Sequence, residues 1–156
     1  MSDYHGHTQD LADADDAAKL FEEQARLILP HGGSGQAIWF GTTDNPEILR
    51  VDIDMDAGVA ALRWLLDGRK AVELEPGQSI TVLENPDQGP VTIPAELARV
   101  RAATARAAVI EYVTTGNPPT WVRWQSYFHQ SAPRPYRRHG PAGSRRRRDG
   151  LGRWAP

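Results

Sequence analysis

The stretch ILRVDIDMDAGVAALRWLL, residues 48–66, decides the fold. In its first half Leu49, Val51, Ile53 and Met55 alternate with Arg50, Asp52, Asp54 and Asp56. Strict alternation over this length marks a strand with one face on a core and the other in water. Asp56-Ala57-Gly58 reads as a turn, and Val59 to Leu66 as the returning strand. Ala60, Leu62, Trp64 and Leu66 then share the core face, while Arg63 points to water. A bare hairpin is only marginally stable, so more strands or a helix must cover its apolar side.

Both flanks supply such cover. Asp67-Gly68 is the next turn signal, followed by Val72 and Leu74 alternating with Glu73 and Glu75. Pro76-Gly77 then turns into a strand at Ile80 to Leu83, which predicts a meander of short-linked strands. Upstream, Gln36 to Gly41 reads as a short buried strand. Leu11, Ala14, Ala18, Phe21, Ala25 and Ile28 recur at helical spacing, predicting a helix over 11–29 with Asp10 as its N-cap. A second helix is predicted over 94–115, opened by Pro94, with Leu97, Val100, Ala107 and Ile110 buried, and stopped by Gly116. Thr120 to Gln125 closes as a strand with Val122 and Trp124 on one face. The expectation is an α+β domain, a mostly antiparallel five- or six-stranded sheet packed by two helices.

Charge divides the chain. Residues 1–125 carry 10 Lys+Arg against 19 Asp+Glu, a balance of −9, whereas residues 126–156 carry eight Arg and one Asp. We therefore expect a flexible leader at 1–10, a folded domain at 11–125 and a disordered basic tail at 126–156, where Pro, Gly and Arg replace apolar periodicity. The acidic first residues contain no apolar stretch resembling a secretory signal, so the expected location is the cytoplasm. The absence of cysteine excludes disulfides, thiolate zinc sites and cysteine nucleophiles.

No catalytic set stands out, and neither enzyme activity nor a cofactor or metal is expected. Asp52-x-Asp54-x-Asp56 opens like a calcium loop, but Ala57 and Arg63 stand where an EF-hand needs Gly and Glu. His5-Gly6-His7 lacks a fixed third ligand. The His31–Gly35 loop leads into a strand rather than a helix N-terminus, and reads as a flexible connector. Asp52, Asp54, Asp56, Glu73 and Glu75 read either as solvated strand faces or as an acidic face that meets a basic partner. Trp39, Trp64 and Trp124 fall on predicted core faces. Trp121 points opposite Trp124 and is the candidate interface anchor.

Residues 90–125, PVTIPAELARVRAATARAAVIEYVTTGNPPTWVRWQ, resemble the C-terminal signature of the deaminase-associated immunity proteins (immunity type one) of bacterial polymorphic toxin systems. The shared positions are the helix start Ile93-Pro94, the helix end Ala108, Glu111, Tyr112, Thr115, Gly116 and Pro119, and the strand Val122, Trp124 and Gln125. Leu49 to Trp64 is also similar, and the likeness spans roughly residues 11–125. It implies an α+β protein that binds a cognate toxin, often a nucleic-acid deaminase, and blocks it. The arginine-rich tail departs from the family pattern. Two other classes stay open: a nucleic-acid-binding protein acting through that tail, and a ligand-binding domain with a cleft between helix and sheet.

Overall fold

The computed structural model describes residues 1–127. Helix α1 (Ala14–Ala25) is followed by strands β1 (Gln36–Phe40), β2 (Leu49–Asp54), β3 (Val59–Trp64), β4 (Arg69–Val72), β5 (Ile80–Leu83), β6 (Pro90–Ile93) and β7 (Val100–Arg101). Helix α2 (Ala102–Thr115) and strand β8 (Arg123–Ser126) complete the order. The architecture is α+β, two helices on a curled mixed sheet. The strands run β6-β5-β1-β2-β3-β4-β8, with β7 paired to β3 beside that path.

The hairpin at 48–66 forms in the predicted register, with Leu49 opposite Trp64, Val51 opposite Leu62 and Ile53 opposite Ala60. These side chains join Ile38 and Phe40 of β1, Phe21 and Ala25 of α1, and Ala105, Ala108, Val109 and Tyr112 of α2 in the main core. Burying each large apolar side chain contributes about 1.5–3 kcal/mol, so this layer dominates the stability.

Three expectations about the sheet need correction. The strand at 80–83 does not extend the meander beyond β4. That edge is occupied by β8, with Ala71 opposite Trp124, and β5 crosses to lie beside β1. The β1–β5 contact is parallel, through Gln36 and Leu83. Among the described residues eight strands form, rather than five or six.

The third correction concerns the predicted solvent face, which is covered across β3. Ile80, Val82 and Ile93 of the β5–β6 hairpin pack with Ala61 and Ala98 in a second core. Ala61 is therefore as buried as Ala60, both at 0% exposure. Leu66 and Met55, placed on the core face by alternation, lie beyond the strand ends and are 58% and 38% exposed.

Both helices are shorter than predicted. The N-cap of α1 is Asp13, not Asp10; its carboxylate accepts from Asp15 N and Asp16 N, each at 2.9 Å. Its buried residues are Ala17, Leu20, Phe21 and Ala25, and Ile28 lies outside the helix at 85% exposure. The α2 helix starts eight residues late. Pro94 begins a single turn, closed by Leu97 N–H and Ala98 N–H donating to Pro94 O. Val100 and Arg101 then pair with Ala60 and Val59, a stretch of β3 that β4 leaves open. The buried face of α2 shifts accordingly to Ala105, Ala108, Val109 and Tyr112; Val100 is buried in β7, while Ala107 is exposed.

The leader is folded rather than loose. Ser2 and Trp39 exchange backbone hydrogen bonds of 2.7 and 2.9 Å, and Asp3 Oδ1 accepts from His5 N and His7 N. Tyr4 is buried with Leu29 and Leu83. β1 meets β5 only at Gln36, so its backbone near Trp39 is available to the leader. The loop before β1 is not a free connector either. A Cβ on Gly35 would collide with the Thr81 carbonyl, and Gly35 O accepts from Leu83 N–H at 2.8 Å. The predicted basic tail lies almost wholly outside the described residues, which include only Ser126 and Tyr127 of it.

Candidate partner-binding surface

The five carboxylates predicted to form an acidic face do not form one. Asp52 is fully buried, a correction to its predicted solvent position. The Arg50 guanidinium binds its Oδ1 through Nη2 at 2.7 Å and Nε at 2.9 Å, and Arg63 binds Oδ2. Arg50 also pairs with Glu84 and lies 5.0 Å over the Trp39 ring. Trp39 is thus only half-buried, on the face away from the helices. Arg50 and Arg63 face each other across β2 and β3, and Lys70 sits opposite Arg63. Two arginines side by side need a shared anion, and Asp52 is placed to supply it.

Asp54 and Asp56 organise a turn. Asp54 Oδ1 accepts from Asp56 N and Ala57 N at 3.0 and 3.1 Å, and Ser34 bridges the two acids. Glu73 pairs with the Arg101 guanidinium and accepts Arg101 N–H at 3.0 Å. Glu75 approaches Arg99 at 3.7 Å. Three of the five acids therefore carry a cation already, and the field of the group largely cancels.

Unpaired negative charge collects at the opposite end of the sheet. The antiparallel register places Phe40, Leu49 and Trp64 at that end. The α1 N-terminus, the 41–47 loop and the last turn of α2 meet there around a cleft of about 370 Å³. Met1, Asp10, Leu11, Phe40, Thr42 and Tyr112 contribute to its walls. Residues 8–18 and 41–48 supply Asp10, Asp13, Asp15, Asp16, Asp44 and Glu47, with no Lys or Arg. Among the described residues none of these six carboxylates enters an ion pair. The carboxyl end of α2, without a basic residue in its last turn, adds partial negative charge.

The cations nearby are the Met1 amine, beside Asp10, and Lys19, exposed on α1 one turn beyond Asp15 and Asp16. Burial lowers the pKa of the Met1 amine below the ordinary value, against the pull of Asp10. Burial likewise raises the Tyr112 phenol. The sequence signal for this acidic pole was the two cation-free stretches, but their meeting in space depends on the topology.

Trp121 is exposed as predicted, at 52%. It sits between α2 and β8, next to Thr120, whose N–H and hydroxyl both reach Glu111 Oε1 at 3.0 Å. Trp124 is only partly buried. It lies edge-on to Trp64 at 6.4 Å and donates from Nε1 to Pro119 O at 2.9 Å. Gly116 ends α2 in the left-handed conformation that glycine adopts without a Cβ penalty. The shared positions from Glu111 to Gln125 thus form a clasp fixing β8 to the end of α2, a structural task. The half-exposed Trp121 beside them is available for contact.

This α+β scaffold, with its clasp and charged pole, is that of an immunity protein. Residues 9–126 match the profile of the family described as immunity protein Imm1, and the chain belongs to that family. Its partner is accordingly a toxin protein. No curated protein matches the chain. Among the described residues, no helix is long and apolar enough to cross a membrane.

Proposed function

We propose that this immunity protein acts in the cytoplasm by binding a nucleic-acid deaminase toxin and covering its basic substrate groove, without chemistry of its own. The observation carrying this reading is the gathering at one pole of six carboxylates that enter no ion pair among the described residues, on a body with a −9 balance. An enzyme acting on nucleic acid must hold a polyanion, so its groove is positive. A negative pole competes for that groove and accelerates encounter. Affinity requires an apolar anchor as well, and Trp121 is assigned that role. Asp54 and Asp56, at the other end, add to the overall field, while Glu73 and Glu75 are offset by Arg101 and Arg99. Asp52 acts indirectly, by holding Arg50 and Arg63 in the sheet.

The test mixes the full chain with the toxin domain encoded beside its gene. A stoichiometric complex that abolishes both deamination and binding of a fluorescent oligonucleotide is expected. A complex that still binds oligonucleotide would overturn groove occlusion. A toxin with nuclease rather than deaminase activity would overturn the target.

A further inference from the structure

At the end of the molecule opposite the acidic pole, the second half of α1 and the start of α2 leave a groove of about 220 Å³ between them. Phe21, Ala25, Met55 and Ala102 line it. A dry cavity of roughly 150 Å³ takes up benzene, so an aliphatic side chain fits this one. Of the five large apolar side chains exposed among the described residues, three gather here. Met55 lines the groove, and Leu27 and Ile28 directly follow Arg26, which lines it too. Ile28 is 85% exposed. Both its neighbours are fixed: Leu27 N–H donates to Gln24 O at 3.2 Å, and the buried Leu29 donates to Gly33 O at 3.0 Å. A held apolar knob thus stands two residues from an apolar hole.

Charge on this patch is of both signs, unlike the pole. Arg106 pairs with Glu22 at 2.7 Å, Arg101 is held by Glu73, and Asp54 and Asp56 belong to the turn beside Met55. Glu23 and Arg26 are exposed and enter no ion pair among the described residues, and the exposed Lys19 stands one turn before Glu23.

We propose that this patch is a self-association surface, on which two copies of the chain pack α1 against α1, antiparallel about a twofold axis, with Ile28 of each in the groove of the other. An isologous contact requires a surface that is its own complement. This one carries a knob with its hole and an unpaired anion with an unpaired cation. The positions agree on a single axis: a twofold between residues 24 and 25 sets Glu23 against Arg26 and, at the same time, Phe21 against Ile28. A basic partner gains nothing from Arg26 and Arg106, so the second copy is the occupant that the charges favour. The acidic pole stays open, because α1 has 12 residues and its N-terminal end lies about 18 Å from its C-terminal end. The dimer therefore carries two outward-facing poles. This goes beyond the inhibitory function and does not depend on it.

Sedimentation equilibrium of the full chain tests the contact. With loading raised at low salt, the weight-average mass should climb from 17.3 kDa toward that of a dimer. The dimer should survive about 1 M salt, where the screening length is ~3 Å and association through the basic tail would vanish. Ile28→Ser, at a position the core does not use, should weaken association about ten-fold or more. Arg26→Glu and Glu23→Arg should each weaken it about ten-fold at low salt. Mixed in equal amounts, these two variants should pair with each other, since each supplies the charge that the other lacks. A chain that stays monomeric at all loadings, a dimer indifferent to Ile28→Ser, or charge variants that fail to pair when mixed would overturn the proposal. So would a monomeric wild type whose binding to the toxin domain is weakened by Ile28→Ser, an outcome that assigns the groove to the toxin.

Discussion

Asp52 and Arg63 sit on neighbouring strands of one sheet face, joined carboxylate to guanidinium, with Asp52 at 0% exposure and the Arg63 side chain at 15%. Arg50 completes the arrangement from β2 itself, at 2.7 Å from the other carboxylate oxygen. Removing the shared anion leaves two adjacent, largely buried cations. Breaking a buried pair costs about 3–5 kcal/mol, and the remaining solvent contact of the arginines places Asp52→Ala near the lower bound. Urea unfolding should therefore show a loss of about 3 kcal/mol. A loss below about 1 kcal/mol would place the pair among ordinary surface pairs.

Glu73 makes the fold acid-sensitive. Its partial burial raises the carboxyl, but the Arg101 N–H, the Thr104 hydroxyl and the Arg101 charge together hold its pKa below the usual glutamate value. A carboxyl depressed in the folded state contributes stability above its unfolded pKa, and that contribution is lost as pH falls through the folded pKa. Wild type should be more stable than Glu73→Gln at about pH 7, and the gap should close on acidification below the usual glutamate range. Urea midpoints measured across that range check the sign. A gap that widens at low pH contradicts the assignment.

Gly35→Ala tests the crossing of β5 over the loop before β1. The added methyl meets the Thr81 carbonyl, a backbone atom that cannot swing aside as a side chain would. Overpacking costs about 1–3 kcal/mol, and the upper value applies where backbone must shift. Tm should drop by about 6–12 °C, at 2–4 °C per kcal/mol. An unchanged Tm would mean that β5 does not approach Gly35 so closely.

The two edge-on tryptophans should differ in cost. Trp64, 5% exposed, packs edge-on to both Tyr112 and Trp124. Trp124 covers it from outside, with the Arg69 guanidinium 5.7 Å from its ring. Trp64→Ala should cost about 4–5 kcal/mol and Trp124→Ala about 2–3 kcal/mol, since truncation cost follows the cavity left behind. Full burial of Trp124 would have placed both at the higher value. Equal losses in chemical denaturation would contradict the ranking.

Binding to the toxin should separate charge from anchor. The Asp15→Asn/Asp16→Asn/Asp44→Asn/Glu47→Gln variant should associate about ten-fold more slowly at low salt, with dissociation little changed. Trp121→Ala should instead speed dissociation. Stopped-flow traces at two salt concentrations resolve the two. Unchanged association in the charge variant would remove the acidic pole from the docking path.

Much of the helix side of the core was legible because period-two alternation at 49–54 and 60–64 is a local property of the chain. The stops at Gly116 and Pro119 were legible for the same reason, since each acts over one helical turn, whereas the cap of α1 was read three residues early, at Asp10 rather than Asp13. The late start of α2 was not legible. Pro94 is as good a first residue for a full helix as for a single turn. The choice between them was made by the unpaired backbone of Val59 and Ala60 on a strand some forty residues earlier.

The sequence by itself determined which residues differ in polarity along β2 and β3, that the body is acidic, and that residues 134–153 are basic. Only the tertiary structure decided that Asp52 is buried. Alternation separates two faces but does not say that both are covered, and here the curl of β5 and β6 dries the face opposite the helices near Ala61. Asp52 and Arg63 are eleven residues apart, and their pairing exists because β2 and β3 bring them to one face. The acidic pole arises in the same way. Residues 8–18 and 41–48 carry their charge in any conformation, but a shared field requires them to stand within a screening length of each other. That proximity is a property of the fold.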